Sequence, residues 1–261
     1  MGEAVSAEQA LMDNVKAIGF DLFNTLITAE PAALREATSR LIRSFAESGL
    51  ALDPEAFKKP YREAALRFIT EARAEGRETH NRFWISAALA SMGHEIKPED
   101  PRIARAVEAY FSAFFDYCRL IPGTKEMLAE LQGHFRLGLL SNFTHAPAAK
   151  GLVEYLGLAP YFDPILISGE IGYRKPHALV FELLVEKLGL EKSAVIYIGD
   201  DPEPDIVGAR QAGLRPVWMT YLRDHNLPVM PSTVTGHEGL VGDEVPRISE
   251  WNDLFTLLRI R

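Results

Sequence analysis

A short apolar run, Val15 to Phe20, ends at Asp21, and the next segment of similar character begins only at Phe135. That gap constrains the fold more than any other feature. Apolar runs of about four to eight residues with a polar tip read as buried strands. The stretch from about Pro31 to Tyr117 holds no convincing strand. Leu34, Leu41, Ile42 and Phe45 recur at helical spacing, as do Phe57, Tyr61, Ala64, Ala65 and Phe68. Two further helices fit Arg82 to Met92, stopped near Gly93, and Arg102 to Tyr117, after Pro101. Pro31 and Pro54 suit first-turn positions, and Asp53 suits an N-cap. The first strand is therefore followed by an all-helical insert of roughly 85–90 residues, enough for a small domain.

After Ile121-Pro122-Gly123 the pattern alternates. Strands are predicted at Phe135 to Leu140, Pro164 to Ile167, Ala194 to Ile198 and Pro216 to Met219, the last core strand. Helices are predicted at Thr124 to Leu131, Ala148 to Tyr155, Ala178 to Leu188 and Asp205 to Ala212. Such alternation argues for a parallel α/β sheet. The tail from Thr220 to Pro246 reads as irregular, and Trp251 to Leu258 as a terminal helix. The expected division is a core of residues 1–28 and 121–261, and an insert of residues 29–120.

The 28 Lys and Arg against 36 Asp and Glu give a net charge of −8, in a chain of 261 residues with one cysteine. Nucleic-acid backbones and anionic membranes demand clustered positive charge, so neither is an expected partner. A small-molecule substrate is. Cys118 alone can build neither a disulfide nor a cysteine zinc site, and it reads as a core thiol. Met1 to Asn14 lacks the basic start and apolar centre of a signal peptide. Gly2 followed by Ser6 fits a myristoylation pattern only loosely and is treated as a chance match. A cytoplasmic location is the expectation. No feature specifies an oligomeric state.

An open parallel sheet binds ligands beyond the carboxyl ends of its strands. The polar residues expected there are Asp21, Ser141 with Asn142, Lys175 and Asp200. A carboxylate at a buried strand tip needs a metal or a cation as partner. Asp21 and Asp200 would repel each other unless a divalent cation lies between them, and Mg²⁺ takes a few carboxylates plus waters and phosphate oxygens. Lys175, Ser141 and Asn142 suit an anion or a developing charge. A carboxylate beside such groups can act as a covalent nucleophile.

Four segments stand in order: Asp21-Leu22-Phe23-Asn24-Thr25-Leu26, Leu140-Ser141-Asn142, Arg174-Lys175-Pro176, and Gly199-Asp200-Asp201-Pro202-Glu203-Pro204-Asp205. Together they resemble the motifs of the haloacid dehalogenase superfamily, over about Val15 to Met219. The helical insert is similar to that family's C1 cap. The expected fold is then α/β, a Rossmann-like parallel sheet core with an inserted all-helical cap domain acting as a lid. The resemblance implies that Asp21 attacks, that Ser141 and Asn142 hold the transferring group, and that Lys175 neutralises charge. It implies a Mg²⁺ site from Asp21, the Phe23 carbonyl, Asp200 and Asp205, with Asp205 acting through water or bracing Lys175. Thr25 and Arg62 are the expected substrate contacts. Tyr61-Arg62 resembles the aromatic-Arg cap segment that binds a haloacid carboxylate.

One position departs from the family's phosphatases. They carry a second Asp two residues after the nucleophile, as proton donor to the leaving alcohol, and here that position is Phe23. The 2-haloacid dehalogenases also lack this Asp, since a halide leaves without a proton. They use no metal, however, and the pair Asp21 and Asp200 would be costly to bury without one. The leading expectation is a Mg²⁺-dependent phosphatase of a small phosphorylated metabolite. A metal-free 2-haloacid dehalogenase is the alternative, and a low-turnover binding or regulatory protein is third. His145 and His177 read as surface or capping residues, though either could face the site. Phe111, Phe114, Phe115 and Tyr117 read as packing of the insert or its hinge, with some available to line an apolar substrate pocket.

Overall fold

The computed structural model describes residues 14–228, 239 and 241–260. Gly2, Ser6 and most of the first 14 residues lie outside these, as does the tail at 229–238. β1 (Ala17–Phe20) is buried at every position, as expected of a strand covered on both faces. It pairs in parallel with β4 (Arg136–Ser141) on one side and β6 (Val195–Gly199) on the other. β5 (Ile165–Ile167) extends the sheet beyond β4, and β7 (Arg215–Met219) and β8 (Arg247–Ile248) extend it beyond β6. The order is β5-β4-β1-β6-β7-β8. The chain moves outward from β1 through β4 and β5, then returns past β1 to start the other half. That reversal makes the carboxyl ends of β1, β4 and β6 the natural binding crevice.

β8 corrects the expectation that Pro216 to Met219 forms the last strand. It is two residues long, too short to show any period, and it forms because Pro246 and Ile248 carbonyls accept the N–H groups of Trp218 and Thr220 beyond β7. The helix expected from Asp205 also differs. Pro202–Val207 winds as one wide π-helical turn before the short helix Gly208–Gln211. Ile206 N–H reaches the Asp201 carbonyl at 3.4 Å. Such turns are frequent at functional sites.

The helical insert leaves and rejoins through a two-stranded antiparallel ribbon, β2 (Ile27–Ala29) with β3 (Cys118–Leu120). Its helices are α1 (Ala33–Glu47), α2 (Pro54–Glu75), α3 (Asn81–Ser91) and α4 (Pro101–Tyr117). Asp53 caps α2 by accepting Glu55 N–H at 2.9 Å, with Pro54 in the first turn, as read; Pro31 instead precedes Ala32, the N-cap of α1, and lies outside its first turn. One strand-like contact joins the insert to the core. Arg77 forms an antiparallel bridge with Tyr173, flanked by Glu78 N–H to Gly172 O and Arg174 N–H to Gly76 O. It fastens the end of α2 to the loop that carries Lys175.

The helices α5 (Thr124–Gln132), α6 (Ala146–Tyr155), α7 (Ala178–Leu188) and α8 (Trp251–Leu258) flank the sheet. Alternate residues divide between the two faces. Ile18, Phe20, Ile196 and Ile198 join a core that continues into the insert through Leu26, Ile27 and Phe114. Ala17, Val195 and Tyr197 join Phe181 and Leu184 of α7 on the opposite face. α7 sits close because β1 offers Gly19: a Cβ there would lie 2.7 Å from Leu184 and 2.8 Å from Tyr197. Cys118 is fully buried on β3, and burial pushes its thiol up to about 12, which fits the core reading. No helix among the described residues is long and apolar enough to cross a membrane.

Candidate active site

Asp21 stands one residue beyond β1, its N–H still bonded to Ile198 O at 2.9 Å, and it is buried. Its carboxylate accepts from Lys175 Nζ at 2.6 Å and from Thr25 Oγ1 at 3.3 Å. The ammonium of Lys175 has three hydrogens and uses all of them: on Asp21 Oδ1, on Asp205 Oδ1 at 2.6 Å, and on Tyr197 Oη at 2.9 Å. Tyr197 in turn donates to Leu140 O at 2.9 Å. Burial opposes the charge on Lys175, but Asp205 and Asp21 outweigh it and hold the amine well above its ordinary value. Lys175 is thus a fixed cation, bracketed by carboxylates from two strand ends.

Asp205 is held just as firmly. Its Oδ2 accepts Asp201 N–H at 2.9 Å within the wide turn. The side chain lies against Gly199, where a Cβ would stand 2.4 Å from the carboxyl carbon. Only glycine at the end of β6 allows that approach. Asp205 therefore braces Lys175, one of its two expected roles. One oxygen each of Asp21, Asp200 and Asp205 also lies within 4.8 Å of the others. Burial drives the Asp200 carboxyl well above its usual range, with Asp205, Asp21 and Asp201 adding to the rise. Burial, partly offset by Lys175, lifts Asp21 to about 6. Burial and Asp205 lift Asp201 to about 7, against the pull of Arg73. This crowding of hard oxygen donors, with one ammonium among them, fits a divalent cation such as Mg²⁺.

The cleft over these groups is lined by Asp21, Phe23, Asn24, Ser141, Asn142, Lys175, Asp200 and Asp205, together with Arg73, Arg174, Asp201 and Pro204. All the expected strand-end residues converge there. Three of the expected residues are placed differently from the rest. Asn142 does line the cleft, but its amide is committed: Nδ2 donates to Lys175 O at 3.0 Å and Oδ1 accepts Lys175 N–H at 2.8 Å. It fixes the Lys175 loop, and Ser141 beside it lines the cleft as well. Thr25 is fully buried, its hydroxyl donates to Asp21, and it is not among the residues that line the cleft. Arg62 is exposed and outside the cleft. It lies on the same long helix as Arg73, which does line the cleft. They are eleven positions apart, about 16 Å along a helix axis, and it is the C-terminal end of α2 that adjoins the Lys175 loop.

Phe23 lines the cleft beside an aromatic wall. Its ring stacks on Phe143 with centroids 5.4 Å apart and meets Phe114 edge-on at 6.1 Å. The backbone turns sharply there. Asn24 takes a left-handed φ of 60°, tolerable for asparagine, and Ile27 and Leu26 N–H groups close back on Leu22 O. The Phe23 carbonyl accepts none of these bonds. His145 is neither a surface group nor a cleft residue. It is buried against Phe111, bonded to His80 at 3.0 Å and to Glu108 at 2.9 Å. His177 caps α7 by accepting Leu179 N–H.

A family model for haloacid dehalogenase-like hydrolases matches residues 15–213. The chain belongs to the haloacid dehalogenase-like hydrolases. Ribulose-1,5-bisphosphate 5-phosphatase of Halopiger xanaduensis is 33% identical over 206 residues, covering 77% of this chain and 83% of its own. Glyceraldehyde 3-phosphate phosphatase of Methanopyrus kandleri is 31% identical over 201 residues, covering 77% and 82%. Among solved structures, the 2-haloacid dehalogenase from Pseudomonas syringae pv. Tomato is similar in fold, with a TM-score of 0.67 at 24% identity, covering 94% of this chain and 98% of its own. This hydrolase carries four polar or charged cleft residues that sequence reasoning gave no role: Asn24, Arg73, Arg174 and Asp201. It also missed Tyr197, behind Lys175. Asn24, Arg174 and Asp201 each adjoin or share a segment with a residue already singled out. Arg73 gave no signal beyond its helical position.

Proposed function

We propose that the chain is a Mg²⁺-dependent phosphatase acting on a small phosphorylated metabolite in the cytoplasm, through Asp21 as nucleophile. The observation that carries this reading is the trio Asp21, Asp200 and Asp205, clustered within 4.8 Å around a single ammonium. A metal-free site has no use for Asp200, whose carboxyl is already strained toward protonation by burial and its neighbours. Asp21, Asp200, Asp205 and the Phe23 carbonyl would hold Mg²⁺. Bound there, the ion would neutralise the transferring phosphoryl oxygens and relieve the repulsion among the carboxylates. Two phosphatases among the relatives support the same class of reaction.

In this reading an Asp21 oxygen attacks phosphorus, the P–O bond to the leaving alcohol breaks, and water later cleaves the aspartyl phosphate. Lys175 and Thr25 hold the carboxylate ionised and aimed. Ser141 donates to a phosphoryl oxygen, and Asn142 acts one step back by fixing the Lys175 loop. Residues 1–28 and 121–261 form the catalytic domain, and residues 29–120 its cap. The cap is hinged at the β2–β3 ribbon and closes the cleft with the end of α2.

Phe23 favours a second reading, the metal-free 2-haloacid dehalogenase, because no proton donor stands at that position. A panel of phosphate esters, acyl phosphates and 2-haloacids, assayed with Mg²⁺ and with a chelator, separates the two. Phosphate release that the chelator abolishes is the expected result. Halide release that survives the chelator, without phosphate release, would overturn it.

A further inference from the structure

Glu78 is a buried carboxylate outside the trio of Asp21, Asp200 and Asp205. It belongs to the insert, between α2 and α3, yet its side chain is 3% exposed and meets the core. Oε2 accepts from Ser168 Oγ at 2.5 Å, and Oε1 accepts from Arg174 Nη1 at 3.3 Å and from Thr79 N–H at 2.9 Å. The backbone follows the same path. Glu78 N–H bonds to Gly172 O at 3.0 Å, and Arg174 N–H to Gly76 O at 3.1 Å. Residues 76–78 thus lie as a short strap along residues 172–174.

The Lys175 backbone has two anchors, and both lead to this carboxylate. The first is Arg174, the residue before it, ion-paired to Glu78. The second is Asn142, whose amide grips Lys175 N–H and C=O. The residue after Asn142, Phe143, is held by its own N–H on Ser168 Oγ at 2.8 Å, and Ser168 passes its hydrogen to Glu78. Removing Glu78 would leave a buried guanidinium without its charge partner and a buried hydroxyl without its short bond. A buried charge stripped of its partner is strongly unfavourable, so Arg174 would shift toward water and take the adjoining Lys175 backbone with it. Lys175 Nζ stands 2.6 Å from both Asp21 and Asp205, a fit that a small backbone shift spoils.

Resting on the phosphatase reading, we propose that Glu78 is a positioning residue for Lys175. From the insert, it sets the two loops that aim the ammonium, which stands between Asp21 and Asp205 only while the insert is docked. The insert then completes the site as well as covering it.

The test is Glu78→Ala, with Glu78→Gln and Gly76→Ala beside it. Glu78→Gln keeps an acceptor for Ser168 and drops the charge, so it carries the test if Glu78→Ala fails to fold. Gly76→Ala leaves Glu78 intact and loosens the strap, because Gly76 has a φ of 65° and a Cβ there would lie 2.7 Å from the His177 ring. Calorimetry in Mg²⁺ establishes which variants are folded. Single-turnover hydrolysis of p-nitrophenyl phosphate should then fall ~10- to 100-fold in Glu78→Ala, the cost of misplacing a reacting group by about 1 Å, with KM nearly unchanged. The other two variants should lose less, in the same direction. A second readout needs no reaction. In protein labelled at the lysine side-chain nitrogen, NMR should show a slowly exchanging ammonium for Lys175, assigned by its absence in Lys175→Arg, because three buried hydrogen bonds shield it. That signal should vanish in Glu78→Ala and weaken in the other two. A folded variant of lower Tm that keeps the wild-type rate and the ammonium signal would overturn the proposal, as would a loss confined to KM. If no phosphate ester turns over yet the signal vanishes in Glu78→Ala, the positioning stands and the reaction is wrong. If the ester turns over and the signal persists in every folded variant, the positioning is wrong and the reaction stands.

Discussion

Replacing Phe23 with aspartate tests the account of the leaving group most directly. Wild type has no proton donor two residues after Asp21, so the departing oxygen must leave as an anion or take its proton from water. Rates should fall steeply as the leaving-group pKa rises, with aryl and acyl phosphates ahead of alkyl phosphates. Phe23→Asp should flatten that slope through a selective gain for alkyl phosphates, at most the ~10²–10⁴-fold typical of general acid catalysis. The structure limits the gain. Phe23 stacks on Phe143 and meets Phe114 edge-on, two aromatic pairs of ~0.5–1.5 kcal/mol each. Losing both costs about 1–3 kcal/mol, which for a chain of this size lowers Tm by roughly 2–12 °C. The new carboxylate would also face Asp21, Asp200 and Asp201 across the cleft. Phe23→Asn is the control, since it loses the same packing and gains no acid. The assay is single-turnover hydrolysis of a graded series of aryl and alkyl phosphates, with calorimetry on each variant. Equal chemical-step rates for aryl and alkyl phosphates in wild type would refute the reasoning, because another group would already be supplying the proton.

Asp21→Asn should abolish turnover with the fold intact by circular dichroism; substantial activity, with deamidation excluded by mass spectrometry, would remove Asp21 from the nucleophile's role. Metal-free protein should lose stability as pH rises from about 4 to 7. Burial lifts Asp21 to about 6 and Asp201 to about 7 when folded, Asp200 is also held well above its usual range, and unfolded Asp titrates near 3.8, so the folded state binds more protons in that window. Mg²⁺ should therefore raise Tm more at pH 7.5 than at pH 5, and Asp200→Ala should erase most of the difference; an increment independent of pH, read by scanning calorimetry, would contradict the site. Gly199→Ala should displace Asp205 and cut kcat by at least ~10-fold with a smaller effect on Tm, because its Cβ would meet the Asp205 carboxyl at 2.4 Å; unchanged kcat would show that the bracing of Lys175 is dispensable.

Local pattern alone set the alternation of strands and helices, the helical character of the insert, and the arrival of Asp21, Ser141, Lys175 and Asp200 at one sheet edge. These follow from local causes: short apolar runs, helical spacing, caps such as Asp53, and a right-handed parallel topology that collects strand ends. Tertiary structure decided what those local causes leave open. Periodicity gives the face of a helix but not the point along its axis that meets the core, so Arg62 was expected where Arg73 stands. Residue type gives Asn142 its hydrogen-bonding capacity, but the Lys175 backbone, 33 residues away, takes it up. Tyr197 looks like an ordinary buried strand residue until its hydroxyl meets Lys175, and the two residues of β8 become a strand only beside β7. The insert meets the edge of the cleft where Gly76 to Glu78 pair with Gly172 to Arg174, almost a hundred residues apart. Contacts at that separation depend on how packed elements settle against one another, and no local pattern encodes them.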